Sequence, residues 1–463
     1  MKSFQKTFIY TFLLLLVSGN DIAAQSKLNV ELIAHWDSDT IIQGTNKSKF
    51  SDVWGYEKDG REYALICSTE GVHFFEIENN QFRFVDFVQG TYASAIVTNR
   101  DVTTYKHYAY TGCDHGTSNL QIIDMSYLPD SVVVVAEIDQ QFGRLHNLFV
   151  DEENALLYAC RVTPIVNGNV TTVVPMRVFS LADPVNPQLL YEGPNGISEV
   201  HDIWVQDEIA VLNCGFDGMR VYDFSNPSSP LYIQNIPIYQ DQGYNHQGAM
   251  TPDGTKYVFG DETNGKLLKL YTVGNDHKLT VKNYFGTNAQ NSSIPHNIMC
   301  SNEFAFVAYY NEGLRIYDIR TSPKEIAHFD TYPDDSDFKM NGAWGVYSQL
   351  PSKRILISDI QYGLFLFDFD RELFQTKVEE LSVYPTLFTS GEEITIQLKQ
   401  GSATAFSVKV FDTTGKIIVQ EEIINQTYAK LTPQLNQGMY FVEVTYIDYL
   451  KEEIKTRVKV LVY

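Results

Sequence analysis

Four histidines stand in phrases built alike: Leu145-His146-Asn147-Leu148, Val200-His201-Asp202-Ile203, Asn245-His246-Gln247-Gly248 and Pro295-His296-Asn297-Ile298. Imidazole ligates metals, moves protons near neutral pH and both donates and accepts hydrogen bonds. Roughly 50 residues separate successive phrases, the period of a repeat array. Ser51, Arg100 and Asn341 hold the corresponding place in three further repeats. Five of the repeats have a second polar station downstream: Asp114 and His115, Asp217, Asp261 and Glu262, Glu312, Asp359. In a closed ring of antiparallel repeats, the loop before the first strand and the loop between second and third strands open on one face. The expected ligand contacts at that mouth are Arg100, His146, His201, Asp202, His246, His296 and Asn341.

Three roles fit such a constellation. Asn147, Asp202, Gln247 and Asn297 suit hydrogen bonds that brace each blade's own loop. The same face suits contact with a glycan or protein. A metal set would draw on His146, His201, His246, His296, Asp261 and Glu262, with zinc favouring the imidazoles and calcium the carboxylates. Packed sheets lie about 10 Å apart while zinc–nitrogen bonds are about 2.0–2.1 Å, so neighbouring imidazoles would have to lean well inward to share an ion. For acid–base hydrolysis, His201 would act with Asp202 or Glu262, and nearby carboxylates are expected to raise the histidine pKa. The chain contains no GxSxG, HExxH, P-loop or CxxC motif.

Short strand-like runs surround these residues. First strands begin near Ser51, Arg100, His146, His201, His246, His296 and Asn341, with Trp54-Gly55 and Trp344-Gly345 read as one register. Second strands include Glu62 to Ile66 and Ile209 to Asn213, and third strands often follow glycine, as in Gly313-Leu314-Arg315-Ile316-Tyr317-Asp318. Asp124, Asp223, Asp318 and Asp368 end third strands as turn caps, while Arg220 and Arg315 are expected to pair with acidic loops. Seven units of four strands predict an all-β chain: a seven-bladed β-propeller over 25–373, with residues 28–36 closing the last blade. From about Leu381 the alternation in Ile394-Thr395-Ile396 and Val408-Lys409-Val410 predicts a small C-terminal β-sandwich over 381–463.

The formal charge is −22, from 57 Asp plus Glu against 35 Lys plus Arg, which argues against a nucleic-acid partner. Lys2 and Lys6, the apolar stretch Phe8 to Val17 and Ala23-Ala24 read as a signal peptide over 1–24. No later run is long enough for a transmembrane helix. Cys67, Cys113, Cys160 and Cys214 are expected as small buried fillers, with one disulfide between adjacent repeats left open, and Cys300 makes the count odd.

Tyr384-Pro385, Val410-Phe411-Asp412-Thr413-Thr414-Gly415 and Leu435-Asn436-Gln437-Gly438-Met439-Tyr440 make the tail similar to the type A C-terminal sorting domain of type IX secretion systems, although Thr386-Leu387 stands where the family has Asn-Pro. The resemblance implies the type IX machinery as partner, translocation across the outer membrane, and release or surface attachment. Ser51-Asp52-Val53-Trp54-Gly55-Tyr56, His146-Asn147-Leu148-Phe149-Val150-Asp151, Asn245-His246-Gln247-Gly248, Asp261-Glu262, His296-Asn297-Ile298 and Gly313-Leu314-Arg315-Ile316 make the body similar to the choice-of-anchor B family of LVIVD-repeat propellers. That family carries no established activity and implies no catalytic residues. The expected function is an exported binding module working through its polar mouth. The alternatives are a metal-assisted or acid–base hydrolase of an extracellular polymer at the same mouth, and a structural surface protein without a small-molecule site.

Overall fold

The computed structural model describes residues 26–166, 169–287, 293–333, 340–371, 374, 381–398, 405–424, 428–447 and 453–463. The expected signal peptide lies outside them. Between residues 27 and 368 the described strands form seven successive sheets with four strands in each blade, and a small two-stranded sheet, Ile165–Val166 with Asn169–Val170. Blade one comprises Phe50–Lys58, Arg61–Ser68, Gly71–Glu78 and Gln81–Gln89, paired antiparallel in that order. Blades two to six repeat the plan, starting at Arg100, Asn147, Asp202, Asn245 and Ile298. Blade seven supplies Ala343–Tyr347, Ile355–Asp359 and Gly363–Asp368, and its outer strand is the N-terminal segment Glu31–Trp36. Two residues earlier, Lys27–Leu28 pairs with the outer strand of blade six, Lys324–Phe329. Asn29 turns the chain between the two sheets with φ 52° and donates Nδ2 to Ile326 O at 2.8 Å.

Second strands are apolar on both faces, because each blade is sandwiched between two others. In blade one, Tyr63, Leu65 and Cys67 pack toward blade two, while Ala64 and Ile66 pack toward blade seven. An apolar layer of this kind separates every neighbouring pair of blades, including seven and one, so the ring closes. All five cysteines are buried and free, serving as fillers. Asp124, Asp223 and Asp318 accept the backbone N–H two residues on at 2.7, 2.7 and 3.0 Å, the capping role their positions suggested.

The tail forms a second, separate core. A sheet of Leu381–Tyr384, Ile394–Leu398 and Tyr428–Leu431 faces a sheet containing Ala405–Asp412, Ile417–Ile424, Gly438–Ile447 and Glu453–Val462. Alternate residues of both, such as Ile394 and Ile396, Val408 and Val410, Val442 and Val444, share one apolar interior.

Candidate functional site

Inner strands of a propeller converge toward the axis, and here that brings the imidazoles together. Ring centroids lie 4.1 Å apart for His146–His201, 4.3 Å for His201–His246 and 4.3 Å for His246–His296. The series ends on Trp344, 4.3 Å from His296. The expected spacing, taken from flat stacked sheets, is therefore too wide: the 10 Å separation applies to mid-blade, not to the axis.

Trp344, rather than Asn341, takes the seventh station. His246 lies in the bulge between Asn245 and Gln247, and Trp344 lies in the matching bulge between Ala343 and Gly345. Asn341 instead receives Gln361 Nε2 at 2.9 Å, off the arc. Trp54 is also out of register with Trp344; its indole donates to Thr104 Oγ1 at 3.0 Å and packs on Tyr347. Arg100 is buried, donating to Ser68 O at 3.1 Å and Tyr92 O at 2.6 Å, which makes it a loop brace rather than an exposed contact. The arc thus spans blades three to seven and leaves one and two without an aromatic member.

Carboxylates from the second stations meet the arc, each reaching the histidine of a neighbouring blade or its own. Glu262 Oε2 lies 3.8 Å from His246 Nε2, and Oε1 lies 3.8 Å from His296 Nε2 while accepting Tyr310 OH at 2.5 Å. Asp114 Oδ2 lies 3.1 Å from His146 Nδ1, and its other oxygen pairs with His115. His146 is further held by Asn99, whose Nδ2 donates to the His146 carbonyl at 2.6 Å. Other predicted residues are engaged elsewhere. Asp261 does not join the arc: it accepts Lys269 Nζ at 2.8 Å, Tyr239 OH at 2.6 Å and Gly243 N at 2.7 Å, a fully occupied buried carboxylate. Asp217 caps Ser198, Asp359 accepts Thr331 Oγ1 at 2.7 Å, and Glu312 pairs with Arg315. Arg315 meets acidic partners as expected, whereas Arg220 donates to the carbonyls of Asn195 and Gly196.

The proposed pairing of His201 with Asp202 is absent. Adjacent strand residues point to opposite sides, and Asp202 accepts its own neighbour's Ile203 N at 2.6 Å. Asp202 belongs to a different ring, with Asp52, Asp101, Asn147, Gln247 and Asn297, that lines the channel below the histidines. Several of these clamp the next blade rather than brace their own. Asp101 accepts Leu148 N at 2.7 Å, and Gln247 accepts Ile298 N at 2.8 Å while donating to Ile298 O at 3.1 Å.

Burial governs the electrostatics. Desolvation holds His201 well below the ordinary imidazole value, helped by repulsion from His146 and His246. It pushes His246 and His296 down to about 3, outweighing the opposing pull of Glu262 on His296. These histidines are neutral at physiological pH, opposite in sign to the expected upward shift, because the carboxylates are too few and too distant to offset lost hydration. Asp114 overcomes its own burial through hydrogen bonds to His115 and His146 and is lowered.

Several residues at the mouth carried no motif. Phe216, on the loop between the second and third strands of blade four, is 79% exposed and stands edge-on to Tyr244 at 5.1 Å. Tyr244 in turn meets His201 at 5.2 Å and donates to Glu199 at 2.5 Å, which Arg161 Nε also reaches at 3.0 Å. Arg161 and Tyr310 both hold positive φ, 49° and 35°, the kind of backbone strain that collects at working sites. Their loops differ from repeat to repeat, so only the downstream position of the second station pointed toward them.

Two segments match known family models. Residues 382–458 match the secretion system C-terminal sorting domain, and residues 295–331 match the LVIVD repeat. No curated protein matches the chain. Among solved structures, the WD40 β-propeller domain of Doa1 is 12% identical with a TM-score of 0.50, covering 74% of this chain and 98% of its own. A functionally unknown protein from Desulfotomaculum acetoxidans is 13% identical with a TM-score of 0.44, covering 65% of this chain and 95% of its own. The chain is thus an all-β propeller with an LVIVD repeat and a sorting tail, the mark of export to the outer membrane or cell surface by type IX secretion. Among the described residues, no helix is long and apolar enough to cross a membrane.

Proposed function

We propose that this exported propeller is a binding module whose contact site is the histidine-lined mouth, and that its ligand is an uncharged extracellular glycan. The observation that carries this reading is a ladder of rings leading from solvent to the buried arc: Phe216, Tyr244, His201 and its neighbours. An exposed aromatic face beside fixed hydrogen-bonding groups suits the apolar face and hydroxyl edge of a sugar. Glu199, Asp114 and Glu262 at the mouth, with a net charge of −22, disfavour polyanionic chains. For an acid–base hydrolase, His201 and Asp202 do not face each other, which leaves Glu262, with a carboxylate oxygen within 4.8 Å of a His201 ring nitrogen, as the partner of His201.

Binding of the purified protein to an array of neutral polysaccharides tests the proposal. Phe216→Ala is expected to weaken capture about tenfold or more with unchanged thermal unfolding, because the ring contributes little to the folded core. Equal binding by this variant would put the contact elsewhere, and capture of protein ligands alone would replace the glycan reading.

A further inference from the structure

The hydrogen-bonding pattern of the arc leaves lone pairs facing one another. His296 Nδ1 lies 2.6 Å from the carbonyl oxygen of Trp344, and against a carbonyl only a donor is stable, so this nitrogen carries the proton. His296 Nε2 is then a bare lone pair, turned toward Glu262 Oε1 at 3.8 Å. Glu262 Oε1 already accepts from Tyr310, and its Oε2 faces His246 Nε2 at 3.8 Å, beyond hydrogen-bond reach. The Nδ1 atoms of His201 and His246 are buried without a hydrogen bond of acceptable geometry. Buried imidazoles left in this state cost free energy unless a further partner satisfies them.

A cation placed between the imidazoles and Glu262 would pair the lone pairs that face one another there. Ligand atoms of His201, His246 and Glu262 all lie within 4.8 Å of one another. Tetrahedral zinc needs ligand atoms about 3.3 Å apart, given bonds of about 2.0–2.1 Å, so shifts of under about 1 Å per side chain would complete the site. The backbone carbonyl behind His296 and the Tyr310 hydroxyl behind Glu262 are the outer partners that orient metal ligands and fix a histidine tautomer. Two or three nitrogens against one carboxylate select a borderline ion over calcium, which favours oxygen.

We propose that His201, His246 and Glu262, with His296 completing the set, bind a divalent transition ion of the zinc class at the mouth of the channel. The inference deepens the binding-module reading and rests on the same mouth, which such an ion would equip to hold a ligand oxygen directly. His146 is not one of the residues whose ligand atoms meet within 4.8 Å of one another.

Chelator-stripped full-length protein titrated with Co2+ alone tests the site. The expected result is one equivalent bound, visible d–d absorption of a low-coordinate ion, and displacement by equimolar Zn2+. Glu262→Gln and His246→Gln are each expected to weaken binding at least about tenfold, whereas His107→Gln, on an exposed histidine of another loop, leaves it unchanged. X-ray absorption on the wild-type zinc form, which needs no variant to fold, is expected to give two or three imidazole nitrogens at about 2.0–2.1 Å. Folded protein that binds no stoichiometric ion, binding undiminished in Glu262→Gln, or a shell without imidazole would each overturn the metal site. None of these results touches glycan capture by the metal-free protein, so the two readings fail separately.

Discussion

Neutral histidines above and protonated carboxyls below give the central channel two opposed pH sensitivities. His246 and His296 have folded pKa values near 3 against an ordinary 6.5, so the folded state refuses protons that the unfolded chain accepts. Their contribution is complete above 6.5 and is lost as pH falls toward 3. Burial has the reverse consequence for a carboxyl. It lifts Asp52 to about 7 and Asp101 well above the carboxylate range, the latter further raised by Asp52. A raised carboxyl stabilises the fold below its ordinary value of 3.8, and the benefit disappears as pH rises through 7. Asp52→Asn should therefore match wild type near pH 4 and exceed it at pH 8, by roughly 2 °C or more in Tm. Calorimetric melts across that range decide the matter; a gap independent of pH would mean that Asp52 is ionised in the folded protein.

At the scale of elements, one device recurs in every blade and a second in several of them. One is a register shift between third and fourth strands: at Phe74/Phe75, Val134/Ala136, Val178/Phe179, Val221/Tyr222, Leu270/Tyr271, Ile316/Tyr317 and, in the closing strand, Leu32/Ala34. A bulge there increases local twist, which suits a sheet that must fan outward from an axis. The other is a glycine that opens several third strands. Gly218, Gly313 and Gly363 have φ of 77°, 72° and 85°, and a Cβ on any of them would strike the backbone oxygen of the outer strand. Gly313→Ala is expected to cost at least about 1–2 kcal/mol from the left-handed backbone alone, read as a lower urea midpoint with an unchanged slope. A neutral outcome would show that the outer strand moves aside freely. The glycines were visible in the sequence as strand openers; the bulges were not, since an extra residue in a polar outer strand leaves the apolar alternation of the inner strands untouched.

For the whole molecule, two cores divide the work. The propeller is closed by apolar layers on all seven inter-blade faces, and the tail has an interior of its own. The match over 382–458 assigns the tail to transport. Deleting residues 381–463 should leave a folded propeller inside the outer membrane, detected by cell fractionation and surface proteolysis. Surface display of the truncated chain would show that export signals lie elsewhere.

The amino-acid sequence by itself determined the architecture: strand period, glycine placement, two-sided apolar second strands and a histidine recurring in one phrase are local properties that repeat along the chain. It also specified which loops meet at one face, because strand parity alone fixes that. Only the tertiary structure decided which residues touch. The convergence of inner strands brought imidazoles into a stacked arc, a bulge put Trp344 rather than Asn341 at its end, and Lys269 withdrew Asp261 from it. The sign of the histidine shifts was likewise settled by burial, a quantity that depends on every neighbouring blade at once and is written in no single repeat.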